Sequence, residues 1–120
     1  METIKLDTNN INDIIRKNPY FTGCIINVAR NKYYYSDGMM HRDDGPAYEG
    51  DNGDQIWFCN GLYHREDGPA RITRYQHTYF TKDGMFFAYK SYYIHGKYLT
   101  EKEWEHRQRA GKLEKFLYNS

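Results

Sequence analysis

The chain of 120 residues is poor in the features that announce common function classes. Its two cysteines, Cys24 and Cys59, stand far apart and form no pair motif, which argues against a disulfide framework and leaves reduced, buried thiols of a cytosolic protein as the simplest reading. No apolar run approaches the roughly 20 residues needed to span a bilayer. The opening Met1-Glu2-Thr3-Ile4-Lys5 lacks the basic segment and apolar stretch of a secretory signal, so the expected location is the cytoplasm. Charge of one sign is also missing. The 17 basic and 16 acidic residues leave a formal charge of +1, whereas phosphate backbones are bound by a clustered excess of Lys and Arg. Neither nucleic acid nor a membrane is therefore the expected partner. There is no nucleophile elbow, no Gly-rich phosphate loop and no dinucleotide fingerprint. Cys24 or Cys59 with His41 or His64 would make a nucleophile and a base, but no local context singles out either thiol, and both fall within expected strands. A metal site from His41, His64 and nearby acids lacks close ligand spacing, and Arg beside each His disfavours a cation. The chain is read as a non-enzyme that needs no cofactor.

What is abundant is aromatic. Aromatics make up 18% of the chain, 13 of them Tyr, although mean hydropathy is strongly negative. Tyr suits a pleated, half-wet surface, so this balance favours strands. The aromatics also recur. Tyr34-Tyr35-Ser36-Asp37-Gly38-Met39-Met40-His41-Arg42-Asp43-Asp44-Gly45-Pro46-Ala47 overlies Trp57-Phe58-Cys59-Asn60-Gly61-Leu62-Tyr63-His64-Arg65-Glu66-Asp67-Gly68-Pro69-Ala70 at an offset of 23, with 7 of 14 positions identical. The offset continues to Phe80-Thr81-Lys82-Asp83-Gly84 and runs back to place Cys24 over Ala47 and Ala70. A shortened echo, Tyr92-Tyr93-Ile94-His95-Gly96-Lys97-Tyr98, follows.

Each unit reads as β-structure. Asp37-Gly38, Asn60-Gly61 and Asp83-Gly84 follow aromatic runs and suit tight primed turns. Strands are expected near 24–30, 32–36, 47–50, 55–59, 62–64, 70–75, 78–82, 85–89, 92–94 and 97–99. Thr8, Asn9 or Asn10 can cap a short helix over Ile11–Lys17 that Asn18-Pro19 stops, and Thr100-Glu101-Lys102-Glu103 is a capping box for a helix through about Ala110, with Gly111 as its stop. The expected fold is mainly β, a meandering antiparallel sheet of 23-residue hairpin repeats with short capping helices at the N- and C-termini. It forms a single domain over 1–120, with an N-terminal helical cap over 1–20, the β-repeat sheet over 21–99, and the C-terminal helix and tail over 100–120.

The spacing and the run aromatic-aromatic-x-Asn-Gly-x-x-His-Arg-x-Asp-Gly-Pro-Ala resemble the variant MORN-type repeats common in bacteriophage and large-virus proteins. The resemblance covers about 24–100. It implies a scaffold or binding surface. Taken with the lack of a catalytic constellation and an aromatic break in the third unit, it leads to the expectation of a small phage protein in the host cytoplasm that binds and inhibits a host defence protein.

Two candidate sites follow. His41, Arg42, His64 and Arg65 form a candidate anion-binding pair of loops, since guanidinium matches phosphate oxygens bidentately. Against this, Asp44 and Asp67 can cap a corner, Gly permits the bend and Pro starts the next strand; a corner is needed in every unit, a ligand only once. The second candidate lies where the repeat breaks. Phe87-Ala88-Tyr89-Lys90-Ser91-Tyr92 stands where a corner should be. Phe86, Phe87, Tyr89, Tyr92 and Tyr93 are the candidate protein-binding residues, with Tyr33, Tyr48 and Tyr63 as additions, unless the strip is buried against Trp104. Binding of a phosphorylated small molecule such as a nucleotide, and self-association through sheet edges as a homodimer or virion part, remain the alternatives to a host-protein partner.

Overall fold

The structure is a computed structural model that describes residues 2–8, 10–75 and 87–118. Among the described residues the elements are β1 (Glu2–Lys5), α1 (Asn12–Lys17), β2 (Gly23–Ile26), β3 (Lys32–Ser36), β4 (Met39–Met40), β5 (Tyr48–Glu49), β6 (Gln55–Ile56), β7 (Phe58–Cys59), β8 (Leu62–Tyr63), β9 (Arg71–Tyr75), β10 (Phe87–Ile94), β11 (Lys97–Leu99) and α2 (Glu101–Tyr118). The protein is mainly β. One sheet runs β1-β2-β3-β5-β6-β9-β10-β11, with β4 on β3, and β7 and β8 form a two-stranded ribbon.

The sheet is mixed rather than a purely antiparallel meander. β1 runs parallel to β2, with Glu2 opposite Gly23 and Lys5 opposite Ile26. A parallel pair needs a crossover of a dozen or more residues, and the stretch carrying α1 supplies one. Residues 1–20 thus contribute an edge strand as well as a helix. Just ahead of that helix the side chain of Asn10 accepts the Asn12 N–H at 3.0 Å, but the N-cap is Ile11, with no side-chain cap bond, instead of the expected Thr8, Asn9 or Asn10. Ile11, Ile14 and Ile15 are half-buried.

Other expected boundaries move for local reasons. β2 stops at Ile26 because the Asn27 side chain accepts the Asn31 N–H at 3.0 Å and Arg30 adopts a φ of 65°, which reverses the chain. The expected strands at 85–89 and 92–94 are joined in β10, since Ala88–Ser91 carries neither Gly nor Pro to break an aromatic, strand-favouring run. The expected strand at 78–82, the Asp83-Gly84 turn and Phe86 lie outside the described residues. Gly111 does not stop α2, which continues to Tyr118 through the helix formers of Lys112-Leu113-Glu114-Lys115. The capping box is made: Thr100 Oγ1 accepts the Glu103 N–H at 3.1 Å, and Glu103 Oε1 accepts the Thr100 N–H at 3.2 Å.

The molecule is thin, 52 × 43 × 22 Å, and its core is small. Phe21, Cys24, Ile25, Ala47, Ala70 and Trp104 are its buried apolar residues among those described. Ala47 and Ala70 accept the N–H groups of Tyr34 and Trp57, each at 2.7 Å, so a small side chain lies beside each large ring. Among the described residues no helix is long and apolar enough to cross a membrane.

Candidate functional site

Each His-Arg-x-Asp-Gly-Pro run folds into a corner held by its own side chains. Arg42 donates to Asp44 at 3.0 Å, to the Pro46 carbonyl at 3.1 Å and to Glu49 at 2.8 Å, and its guanidinium lies 4.1 Å over the Tyr34 ring. Arg65 repeats the pattern with Asp67 at 2.9 Å, the Pro69 carbonyl at 3.1 Å and the Trp57 ring at 3.8 Å. Planar, forked and charge-assisted, such contacts suit Arg and not Lys. Burial works against the Arg42 charge, but its bonds to Glu49 and Asp44 outweigh it and raise its pKa above the ordinary value. The corner glycines are there for space. A Cβ on Gly45 or Gly68 would come within 3.2 or 2.8 Å of the guanidinium carbon of Arg42 or Arg65.

The histidines join one turn to the next. His41 Nδ1 accepts the Asn60 N–H at 3.1 Å, and His64 Nδ1 accepts the His95 N–H at 2.9 Å. Accepting at Nδ1 puts the proton on Nε2, which in His41 faces Asp43 at 2.7 Å. In the first turn Thr22 Oγ1 takes this part, accepting the Asp37 N–H at 3.0 Å. The three turns share positive φ at both central residues, with values of 49° and 78° at Asp37-Gly38, 49° and 82° at Asn60-Gly61, and 47° and 81° at His95-Gly96. The turn that follows Asn60-Gly61 in space is therefore His95-Gly96, within what the sequence showed as a shortened echo.

At the third turn the corner is replaced. Tyr92 occupies the place of Tyr34 and Trp57, but no arginine among the described residues covers it. Trp104 of α2 stacks there instead, ring centroids 5.1 Å apart and planes 27° apart, and is only 7% exposed. Gln108 of the same helix donates to the Glu66 carbonyl at 3.1 Å.

His41, Arg42, His64 and Arg65 are brought together along one groove of about 630 Å³. Asp43, Asp44, Glu66 and Asp67 line it too, so two guanidinium charges face four carboxylates. The aromatic candidates are divided by strand alternation. Tyr92 turns to α2, whereas Tyr93 lies on the opposite face, between Tyr63 at 4.9 Å and Tyr98 at 5.6 Å. Phe58 extends this ladder, 4.9 Å from Tyr63, and Tyr33 pairs with Tyr48 at 5.1 Å. Tyr89, in phase with Tyr93, is 56% exposed, and Tyr98 is 58% exposed. Phe86 lies outside the described residues, and Phe87 is described by its backbone pairing with Tyr75. Phe58 and Tyr98 were not singled out in the sequence, although each holds the strand phase of a residue that was. Among the described residues no three His, Cys, Asp or Glu side chains converge to hold a metal ion.

Compared with known protein families, with curated proteins and with solved structures, the chain matches none. Its functional reading rests on this geometry.

Proposed function

We propose that this chain is a non-enzymatic protein-binding module, a stack of 23-residue MORN-type hairpin units closed by terminal helices, of the kind a phage uses to bind and block a host protein. The observation that carries the reading is the ladder Phe58–Tyr63–Tyr93–Tyr98, set on the sheet face opposite the Tyr92–Trp104 stack and ending in a ring that is 58% exposed. Rigid aromatic rings with a polar hydroxyl at the rim are the side chains that dominate binding hot spots. The recurrence of the corner contacts at an offset of 23 supports the repeat reading, because each unit lends the next its hydrogen-bond acceptors.

Anion capture at the corner loops is the weaker reading, since both guanidinium forks are committed to Asp44 and Asp67 and the groove carries an excess of carboxylates. Self-association through β1 is weakened by the charged Glu2 and Lys5 on that edge strand.

The test uses Tyr89→Asp and Tyr98→Asp, whose rings are exposed enough for the variants to keep the parent's thermal unfolding. Pull-down from host lysate is expected to recover one dominant protein with the parent chain and to lose it with both variants. Retention of that protein by both folded variants would show that the aromatic face is not the binding surface.

A further inference from the structure

Each of the three turns is received by a backbone carbonyl of the segment before it in the stack, the loop ahead of β2 for the first and a hairpin for the other two. Phe21, Met40 and Tyr63 accept the N–H groups of Gly38, Gly61 and Gly96 at 2.9, 2.9 and 2.8 Å. The next carbonyl in the series belongs to Tyr98 on β11, and nothing among the described residues bonds to it. Beside this edge lies a groove of about 560 Å³ between β11 and α2. Ile94 and Leu99 provide its apolar surface, and Lys97, Lys102, His106 and Arg107 provide a basic wall. Glu103 is the one acid there, and it is committed to the helix cap: its bonds with the backbone and side chain of Thr100 hold its pKa below the usual carboxylate range. Lys97, Lys102 and Arg107 form no ion pair among the described residues, in contrast to the arginines of the corners.

We infer that the open edge of β11 and this groove receive an extended acidic segment of a partner protein. The segment's N–H bonds to the Tyr98 carbonyl, an apolar side chain covers Ile94 and Leu99, and carboxylates meet Lys97, Lys102 and Arg107. This is strand addition with charge complementarity supplying the choice of partner. The inference rests on the protein-binding reading and names the chemistry of the partner. A further unit of the same kind is a poor occupant. Leu99 stands where His41 and His64 offer Nδ1 to the next turn, and cannot accept that bond. The Thr100 N–H, at the place from which Arg42 and Arg65 donate to the Phe58 and Tyr93 carbonyls, is already taken by Glu103. A small free anion would leave Ile94 and Leu99 uncovered.

The experiment is fluorescence anisotropy of the full chain with a labelled, end-blocked peptide alternating glutamate and leucine, against its lysine–leucine counterpart. Saturable binding of the glutamate peptide is expected, about tenfold weaker at high salt and about tenfold weaker in Lys102→Glu and in Arg107→Glu. Arg30→Glu, in the distant β2–β3 turn, should leave it unchanged. Three results would each overturn the inference: no binding by the folded chain, equal binding of the lysine peptide, or indifference to both groove variants. Self-association that Lys102→Glu abolishes would also overturn it, by making a second copy the occupant. Tyr89→Asp keeps the two readings apart. It removes the host partner if the aromatic face is right, and it should leave peptide binding intact because Tyr89 lies on the other sheet face.

Discussion

His64 shows how much one side chain carries in this fold. Its Nδ1 must stay unprotonated to accept the His95 N–H, and its ring lies flat on that of His95, centroids 4.2 Å apart and planes 26° apart. Burial, His95 and Arg107 lower its pKa from the ordinary 6.5, and Glu66 opposes them. The unfolded chain therefore binds a proton at a pH where the folded chain does not. Stability from this site is complete above the ordinary value of 6.5 and falls as pH drops through it toward the lower folded value. Urea unfolding at a series of pH values should show the midpoint declining below about pH 6.5, and His64→Gln should flatten that decline. An unchanged slope in the variant would place the acid sensitivity elsewhere. Arg42 and Arg65 act differently, because their charge is permanent and their geometry is what matters.

At the scale of the element, α2 is both a continuation of the stack and its end. Trp104 does for Tyr92 what guanidinium groups do for Tyr34 and Trp57, while the capping box takes the N–H that would otherwise serve a following unit. Gly111 sits inside this helix with open space around the position of a Cβ, so Gly111→Ala should raise stability by about 1 kcal/mol without touching anything. Thermal unfolding followed at the helix circular-dichroism band checks this; a loss of stability would mean that the helix bends there.

The elements legible in the sequence were those written in neighbouring residues. The Asp37-Gly38 and Asn60-Gly61 turns, the Thr100–Glu103 box and the Arg–Asp corner staple all lie within a few positions of their own signals. What could not be read were the non-local choices. Nothing in Glu2–Lys5 says that it pairs parallel to β2, and nothing near Gly111 says that the helix passes through it. The choice of His95-Gly96 as the third stacked turn depends on which carbonyl lies across from it. At the candidate site, the residue types were visible but their faces were not. Merging two expected strands into β10 set Tyr92 against α2 and Tyr93 on the opposite face.

For the whole molecule, the proposed repeat reading implies that the units are interchangeable. Within 48–70 lies one full corner with its ring, turn, histidine and arginine, and its last residue, Ala70, repeats the Ala47 that precedes the segment, so both junctions of an inserted copy are dipeptides the chain already contains. Inserting a second copy of 48–70 between Ala70 and Arg71 should give a folded, longer protein with a higher unfolding midpoint, because the added unit gains an interface on both sides. Small-angle scattering and thermal unfolding report both, and a collapsed or less stable product would sink the repeat reading.

The different lids on equivalent rings also give the molecule two built-in optical reporters. Trp57 lies against a guanidinium in a corner, and Trp104 is buried against Tyr92 at the helix end. With one indole replaced by Phe at a time, the emission of the other follows either the middle of the stack or the docking of its closing helix. Opening at one end can then be told from melting of the whole.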